Sequence, residues 1–240
     1  MCKNGLLQYF VVSCLTLVLT GAVCLSFFSR LSYAFVLPVS GSLSDIVVII
    51  DAGHGGEDCG AVGVNGVYEK DLNLKIAFSL RNLLVVAGMK AEMTRTEDKL
   101  LYTKEQDIKG QRKMNDLRNR LLFAQSYENA IFVSVHMNKF SQSSSAGAQV
   151  WYSEHPEAQE LAKSIQTAVK EKLQPQNNRK IKRCDSSMYL LDRSIHPAVL
   201  IECGFLSNEA ECARLCESDY QKQLSFVLFC AIMEAVSSFS

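Results

Sequence analysis

Three apolar runs along this chain each close on a residue that can carry chemistry. The first, over 46–50, is an unbroken Ile-Val-Val-Ile-Ile stretch followed by Asp51-Ala52-Gly53-His54-Gly55-Gly56. Continuous β-branched sequence bounded by glycines predicts a strand buried on both faces. Residues 130–135 repeat the pattern and end in His136-Met137-Asn138, and residues 197–201 repeat it again and end in Glu202. Between them the apolar period lengthens. Ile76, Ala77, Leu80, Leu83, Leu84 and Ala87 mark one face of a helix that starts near Asp71 and stops at Gly88. Met114, Leu117, Leu121 and Ala124 mark a second helix, and Ala158, Leu161, Ala162, Ile165, Ala168 and Val169 a third, ended before Pro175. A closing helix is expected over 220–236. Further strands are expected over 90–94, 148–152 and 187–191. The polar stretch 97–109 reads as a loop over the site, 141–145 as a turn, and 174–183, with Arg179, Lys180, Lys182 and Arg183, as a solvated connector.

Alternating strands and helices predict a single-domain α/β sandwich, with a mostly parallel or mixed sheet of about six strands flanked by helices. In open sheets of this kind ligands bind beyond the carboxyl ends of the strands. His54, His136 and Glu202 all fall at such ends, so they describe one converging site. Glu69, at the head of the first helix and separated from His54 by a glycine-rich loop, folds back to the same edge. The bland readings are a structural histidine for His54 or His136, and for Glu69 an acid favoured by the helix dipole. Glu202 has no bland reading of comparable weight, since an unpaired buried carboxylate is costly. His155 and His196 each stand beside a proline and read as surface or packing residues.

The same residues and their neighbours resemble the zinc-dependent N-acetylmuramoyl-L-alanine amidases that cut peptidoglycan. The likeness runs from Val47 to Val236. It takes in the Asp-Ala-Gly-His-Gly-Gly opening, Gly60-Ala61 through Glu69-Lys70, Thr94-Arg95, Leu117 to Arg120, Ser134-x-His136-x-Asn138, Gly147 to Tyr152 and Pro197 to Asn208. Within the family, Gln111 to Arg120, Met188 to Leu191 and Ile201 to Asn208 are most similar to the membrane-associated amidases that act in making spore cortex. The resemblance implies one Zn²⁺ per chain held by His54, Glu69 and His136, with a position left open for water or substrate. Glu202 is then free to act as the catalytic base. Asn138 and Arg95 are candidates for substrate contact or for supporting the ligands. One departure is Asp192, with Arg193 after it, where relatives commonly carry a basic residue directly behind the apolar pair matched by Leu190-Leu191.

Charge and composition then narrow the setting. Lys3 and Arg30 are the only cations before Phe35 and no carboxylate precedes Asp45. Removing those two from 25 basic residues against 25 acidic ones leaves the domain at −2, which gives no reason to expect nucleic acid. Residues 5–28 are uncharged and mostly apolar, long enough for a membrane span. Ser32-Tyr33-Ala34 also offers a signal-type cleavage point. The expected organisation is 1–34 as a transmembrane anchor, favoured over a cleaved signal peptide, 35–44 as a tether and 45–240 as the catalytic domain. The domain then works outside the cytoplasm, anchored or secreted, in a spore former between the forespore and mother-cell membranes. Its expected partners are peptidoglycan, the membrane through the N-terminal segment, and an activating protein. Nine cysteines occur without a Cys-x-x-Cys pair, so no structural zinc knuckle is indicated. Cys212 and Cys216 come within reach of one another only if helical, and Cys203, next to the proposed base, should point to the opposite face of its strand.

Three other functions compete: a vegetative wall amidase, a zinc carboxypeptidase, and a silent peptidoglycan-binding protein. Carboxypeptidases of this type set their first histidine and glutamate close together in the chain, which fits poorly with His54 and Glu69. A silent binder should lack a ligand or the base, and none is missing.

Overall fold

The computed structural model describes residues 45–239. The expected anchor, cleavage point and tether lie outside the described residues. Among those described, no helix is long and apolar enough to cross a membrane.

Six strands form one mixed sheet: β1 (Val47–Ala52), β2 (Lys90–Met93), β3 (Ala130–Asn138), β4 (Gln149–Tyr152), β5 (Lys182–Arg183) and β6 (Ala198–Phe205), in the order β2-β1-β3-β6-β4-β5. β2, β1, β3 and β6 run parallel, while β4 pairs antiparallel with β6 and parallel with β5. The helices are α1 (Glu69–Val86), α2 (Arg112–Gln125), α3 (Ala158–Lys172), a single turn α4 (Tyr189–Asp192), α5 (Glu209–Cys216) and α6 (Ser218–Ser237).

Side-chain alternation divides the strands between two cores. Val48, Ile50, Val133, Val135, Ile201 and Cys203 meet Leu72, Ile76, Leu80 and Leu84 of α1, Leu161 and Ile165 of α3, and Leu224, Leu228 and Ile232 of α6. Ile49, Phe132 and Ala198 face the other way, against Leu117, Leu121 and Ala124 of α2 and Leu190 and Leu191 of α4. Both faces of the parallel strands are therefore covered, as such strands require. Cys203 lies in the first core and faces away from the side that carries Glu202, as the strand period demands.

The stretch 187–191, expected as a strand, is the turn of helix α4, and the sixth strand is instead the exposed pair Lys182–Arg183 inside the expected connector. Leu190 and Leu191 are adjacent in sequence yet both buried in the second core. A strand would send one of them to the opposite face; a helical turn brings both inward. α5 was not anticipated as an element. It carries Cys212 and Cys216, both free thiols.

α1 shows why a helix forms and stops where it does. Glu69 and Asp71 complement the dipole of its first turn. At its end Gly88 takes φ 86°, a left-handed conformation that glycine adopts without penalty, and its N–H bonds the Val85 carbonyl. Leu80 sits at the centre of the buried stripe with no exposed surface. Leu80→Ala should lower the unfolding free energy by about 2–5 kcal/mol, read from chemical denaturation; a loss below about 0.5 kcal/mol, the level of an ordinary surface change, would contradict this packing.

Candidate functional site

Two residues past β1 the backbone makes an unusual move. His54 has φ 62°, the only positive value outside glycine among the described residues. A left-handed non-glycine residue costs on the order of 1–2 kcal/mol, so its surroundings must hold it there. Two buried arginines do so. Arg120 of α2 donates to the carbonyls of Ala52 (2.8 Å) and His54 (2.7 Å), and Arg95 donates to those of Ala52 (2.8 Å) and Gly53 (3.1 Å). Asn73 of α1 adds a second bond to the Gly53 carbonyl at 3.1 Å. Arg95 also reaches the carbonyls of Lys70 and Glu97. Its donors are spent on backbone, which makes it a brace for the histidine loop.

Arg120 is itself fixed by Asp51 (2.7 Å) and Asp116 (2.8 Å), both buried. Asp51 further accepts from Thr94 at 2.7 Å and Ser134 at 2.6 Å. Burial alone would raise the Asp51 pKa. Arg120, the Ser134 hydroxyl, His136 and Thr94 outweigh it and lower the value to about 2.

The side chains the sequence pointed to then converge. Glu69, the first residue of α1 and only 3% exposed, lies with Oε2 3.3 Å from His54 Nε2 and Oε1 2.9 Å from His136 Nδ1. It also accepts backbone N–H bonds from Ala61 (2.7 Å) and Met137 (2.9 Å). Although burial opposes ionisation, the two histidines hold its carboxyl well below the usual range. The donor atoms of His54, Glu69 and His136 all lie within 4.8 Å of one another. Glycines make the closeness possible. A Cβ on Gly60, at φ 65°, would come 2.5 Å from Glu69 Oε2, and one on Gly53 would collide with the His136 ring.

Glu202 is the register partner of His136 on β6, which sets the two side by side on one face. Its Oε2 is buried without a hydrogen-bond partner. Burial first, then the charge of Glu69, push its pKa up to about 8, partly offset by His54. Asn138 sits past an irregularity in the β3–β6 register, and its carbonyl accepts from Leu206 at 2.8 Å. His155 and His196 stand outside the cluster.

Sequence reasoning missed Asp58. Its Oδ2 lies 2.9 Å from His54 Nδ1, and a two-way backbone bridge between Gly55 and Asp58 (3.0 Å each) carries it back to the ring. The spacing of four residues across a glycine pair was the available signal. With Nδ1 engaged, Nε2 is the nitrogen left facing Glu69. Two imidazoles and a carboxylate converging on one point, with a second carboxylate beside them lacking a partner, fit a divalent cation. The adjoining recess, lined by Asp51, Gly53, His54, Lys113, His136 and Leu190 among others, measures about 50 Å³. That is room for a few ordered waters, the smallest hydrated cavity measuring about 10–15 Å³. A groove of about 970 Å³ between α3 and α6 shares no residue with this cluster.

Comparison with known proteins agrees with this geometry. The model of the N-acetylmuramoyl-L-alanine amidase family matches residues 48–234. The chain belongs to that family. It is 34% identical over 198 residues, 82% of its own length and 81% of the relative's, to the germination-specific N-acetylmuramoyl-L-alanine amidase of Bacillus subtilis. Among solved structures it resembles the CwlD amidase of Clostridioides difficile, determined in complex with the GerS lipoprotein. The TM-score is 0.77 with 38% identity, covering 80% of this chain and 99% of that one. An N-acetylmuramoyl-L-alanine amidase from Clostridium difficile is similar at TM-score 0.71 and 28% identity, covering 83% and 100%. This amidase therefore acts on peptidoglycan.

Two consequences can be measured. Gly60→Ala should displace the Glu69 carboxylate and abolish divalent-metal uptake, while the left-handed backbone costs only about 1–2 kcal/mol; metal analysis beside a thermal melt would show both. Asp51, whose folded pKa is depressed, contributes stability that is complete above about pH 4 and disappears as pH falls toward 2. Asp51→Asn should accordingly be less stable at pH 7 and show a flatter acid limb below pH 4 in pH-dependent denaturation.

Proposed function

We propose that this amidase is a zinc enzyme in which His54, Glu69 and His136 hold one Zn²⁺ and Glu202 is the catalytic base. The observation that carries the reading is the convergence of those three donors beside the unpartnered Glu202 carboxylate. The reaction is hydrolysis of the amide between the lactyl group of N-acetylmuramic acid and L-alanine. Zinc held there supplies a Lewis acid that polarises the amide carbonyl and acidifies water. The protein's own groups do the rest. Glu202 accepts a proton from the attacking water as its oxygen bonds to the carbonyl carbon. It then delivers that proton to the departing nitrogen as the C–N bond breaks, leaving a lactyl carboxylate and a free L-alanine amine. One Glu202 oxygen is buried with no hydrogen-bond partner, so it is free to take up the proton and pass it on. Asp58 and the arginine-braced loop hold His54 in place throughout.

Asn138, at the end of β3 beside His136, is the candidate for contact with substrate, whereas Arg95 serves the ligands from behind. The proposed setting is spore-cortex maturation, where removing the stem peptide prepares muramic acid for conversion to the lactam form. The germination-specific relative and the CwlD likeness support it. That CwlD was determined with a lipoprotein supports a protein activator here. The proposed organisation retains residues 1–34 as a membrane anchor that places residues 45–240 outside the cytoplasm.

Mass spectrometry of peptidoglycan digested with and without a chelator tests the reaction: zinc-dependent release of intact stem peptides with a free L-alanine amine is expected, and release of free C-terminal amino acids would instead mean carboxypeptidase chemistry. Glu202→Gln should keep its zinc and lose turnover by about 10²–10⁴-fold; undiminished activity would remove Glu202 from the mechanism. His54→Ala should lose zinc and activity together.

A further inference from the structure

His54 is held by a carboxylate that a second group also claims. Asp58 Oδ2 lies 2.9 Å from His54 Nδ1 and 3.1 Å from Lys113 Nζ, while its other oxygen accepts from the Gly60 N–H at 3.2 Å. One oxygen is thus divided between the imidazole and an ammonium whose side chain is 65% exposed. Lys113 is also oddly placed. It and Arg112 stand in the first turn of α2, which holds no acid, and cations there oppose the helix dipole. Arg112 is answered by Asp107 (2.5 Å) and Glu57 (2.7 Å), and among the described residues Lys113 pairs with the carboxylate that serves His54.

We propose that Asp58 is a positioning residue that turns the Nε2 of His54 toward the metal, and that Lys113, by competing for the same Asp58 oxygen, holds the metal affinity of this chain below what Asp58 alone would give. The inference rests on His54 as a ligand. A histidine ligand gains basicity and a fixed ring orientation when its other N–H is given to a carboxylate, and losing that partner typically costs 10- to 100-fold in affinity. An ammonium on the same oxygen draws off part of that electron density. Because Lys113 is largely in water its effect is screened and small, about twofold to fivefold in affinity.

The two residues therefore act with opposite sign, which a merely structural role for either would not produce. The test is the Zn²⁺ dissociation constant of the purified full chain, measured by competition with a chromophoric chelator, alongside the melting temperature of the metal-free chain. Asp58→Asn keeps the side chain's volume but has one neutral acceptor oxygen in place of two anionic ones, so it can serve His54 Nδ1 or the Gly60 N–H but not both, and it brings no charge to the imidazole. It should bind Zn²⁺ about 10- to 100-fold more weakly. Lys113→Met, on the exposed surface, should bind about twofold to fivefold more tightly with an unchanged melt. In the double variant the gain from Lys113→Met should vanish, since the anionic oxygen competed for is gone. Wild-type affinity in Asp58→Asn would overturn the role of Asp58. Unchanged or weaker binding in Lys113→Met would overturn the competition. His54→Ala serves as the reference: if it also retains Zn²⁺, the metal-site reading itself has failed, whereas its loss of Zn²⁺ confines any failure to Asp58 and Lys113.

Discussion

The buried Arg120–Asp51 pair, with Arg95 beside it, is the constraint on which the site depends. Taking a guanidinium out of water costs several kcal/mol, and two adjacent guanidiniums add their own repulsion. The cost is offset because Asp51, Asp116 and three consecutive backbone carbonyls accept what the arginines donate. Those carbonyls belong to Ala52, Gly53 and His54, the turn that otherwise could not keep a histidine at positive φ. Ion pair and strained loop thus stabilise one another. The outcome is a rigid imidazole at the end of a rigid strand, so little ordering remains to be done when a cation or substrate arrives.

The electrostatics around that loop are arranged in a definite sequence. Asp51 and Asp116 are answered by Arg120, and Asp58 by His54 and Lys113. Glu69 meets the two imidazoles, backbone N–H groups and the Asn73 amide but no Lys or Arg, and one oxygen of Glu202 meets nothing. Protein cations neutralise the carboxylates behind the loop and leave the two in front of it to whatever occupies the site. Burial first and then the Glu69 charge raise the Glu202 pKa, and a dication bound by Glu69 would offset the second of these. The proton affinity of Glu202 and the charge placed on Glu69 are therefore coupled.

Much of this was legible in the chain, for reasons that can be named. β1, β3 and β6 are continuous apolar runs because both their faces are covered, and the residues that end the runs had to lie at one edge of the sheet. The His54, Glu69, His136 and Glu202 convergence follows from that topology. What the sequence concealed is of two kinds. Residues 188–191 form an apolar run too short for its period to decide between strand and helix, and the choice was made by two adjacent leucines both needing the Phe132 side of the sheet. The bracing of the loop was hidden because its partners are far apart in the chain: Arg120 lies 69 residues from Asp51 and Arg95 lies 42 from Gly53. Periodicity says nothing of such pairs. Arg95, singled out from its motif, was visible as a residue with a purpose, but only the fold could show that its donors point at backbone.

The small volume beside the ligands has a consequence for how a wall polymer is recognised. The recess beside the histidines holds about 50 Å³ and is open on one side, so most of a wall polymer brought to it would lie outside, across the edge of the sheet. Recognition then falls to the rim. Val64 and Phe140, both largely exposed, are tied to that edge through the Leu206 carbonyl and the Ser207 hydroxyl. Leu190 of α4 lines the recess itself, and the departure at Asp192 falls on the same turn of helix, beside an Arg193 stacked 5.1 Å over Tyr189. Leu190 and Asp192 thus share the turn beside the recess, while the His54 loop is held from behind by Arg95 and Arg120 on other parts of the fold.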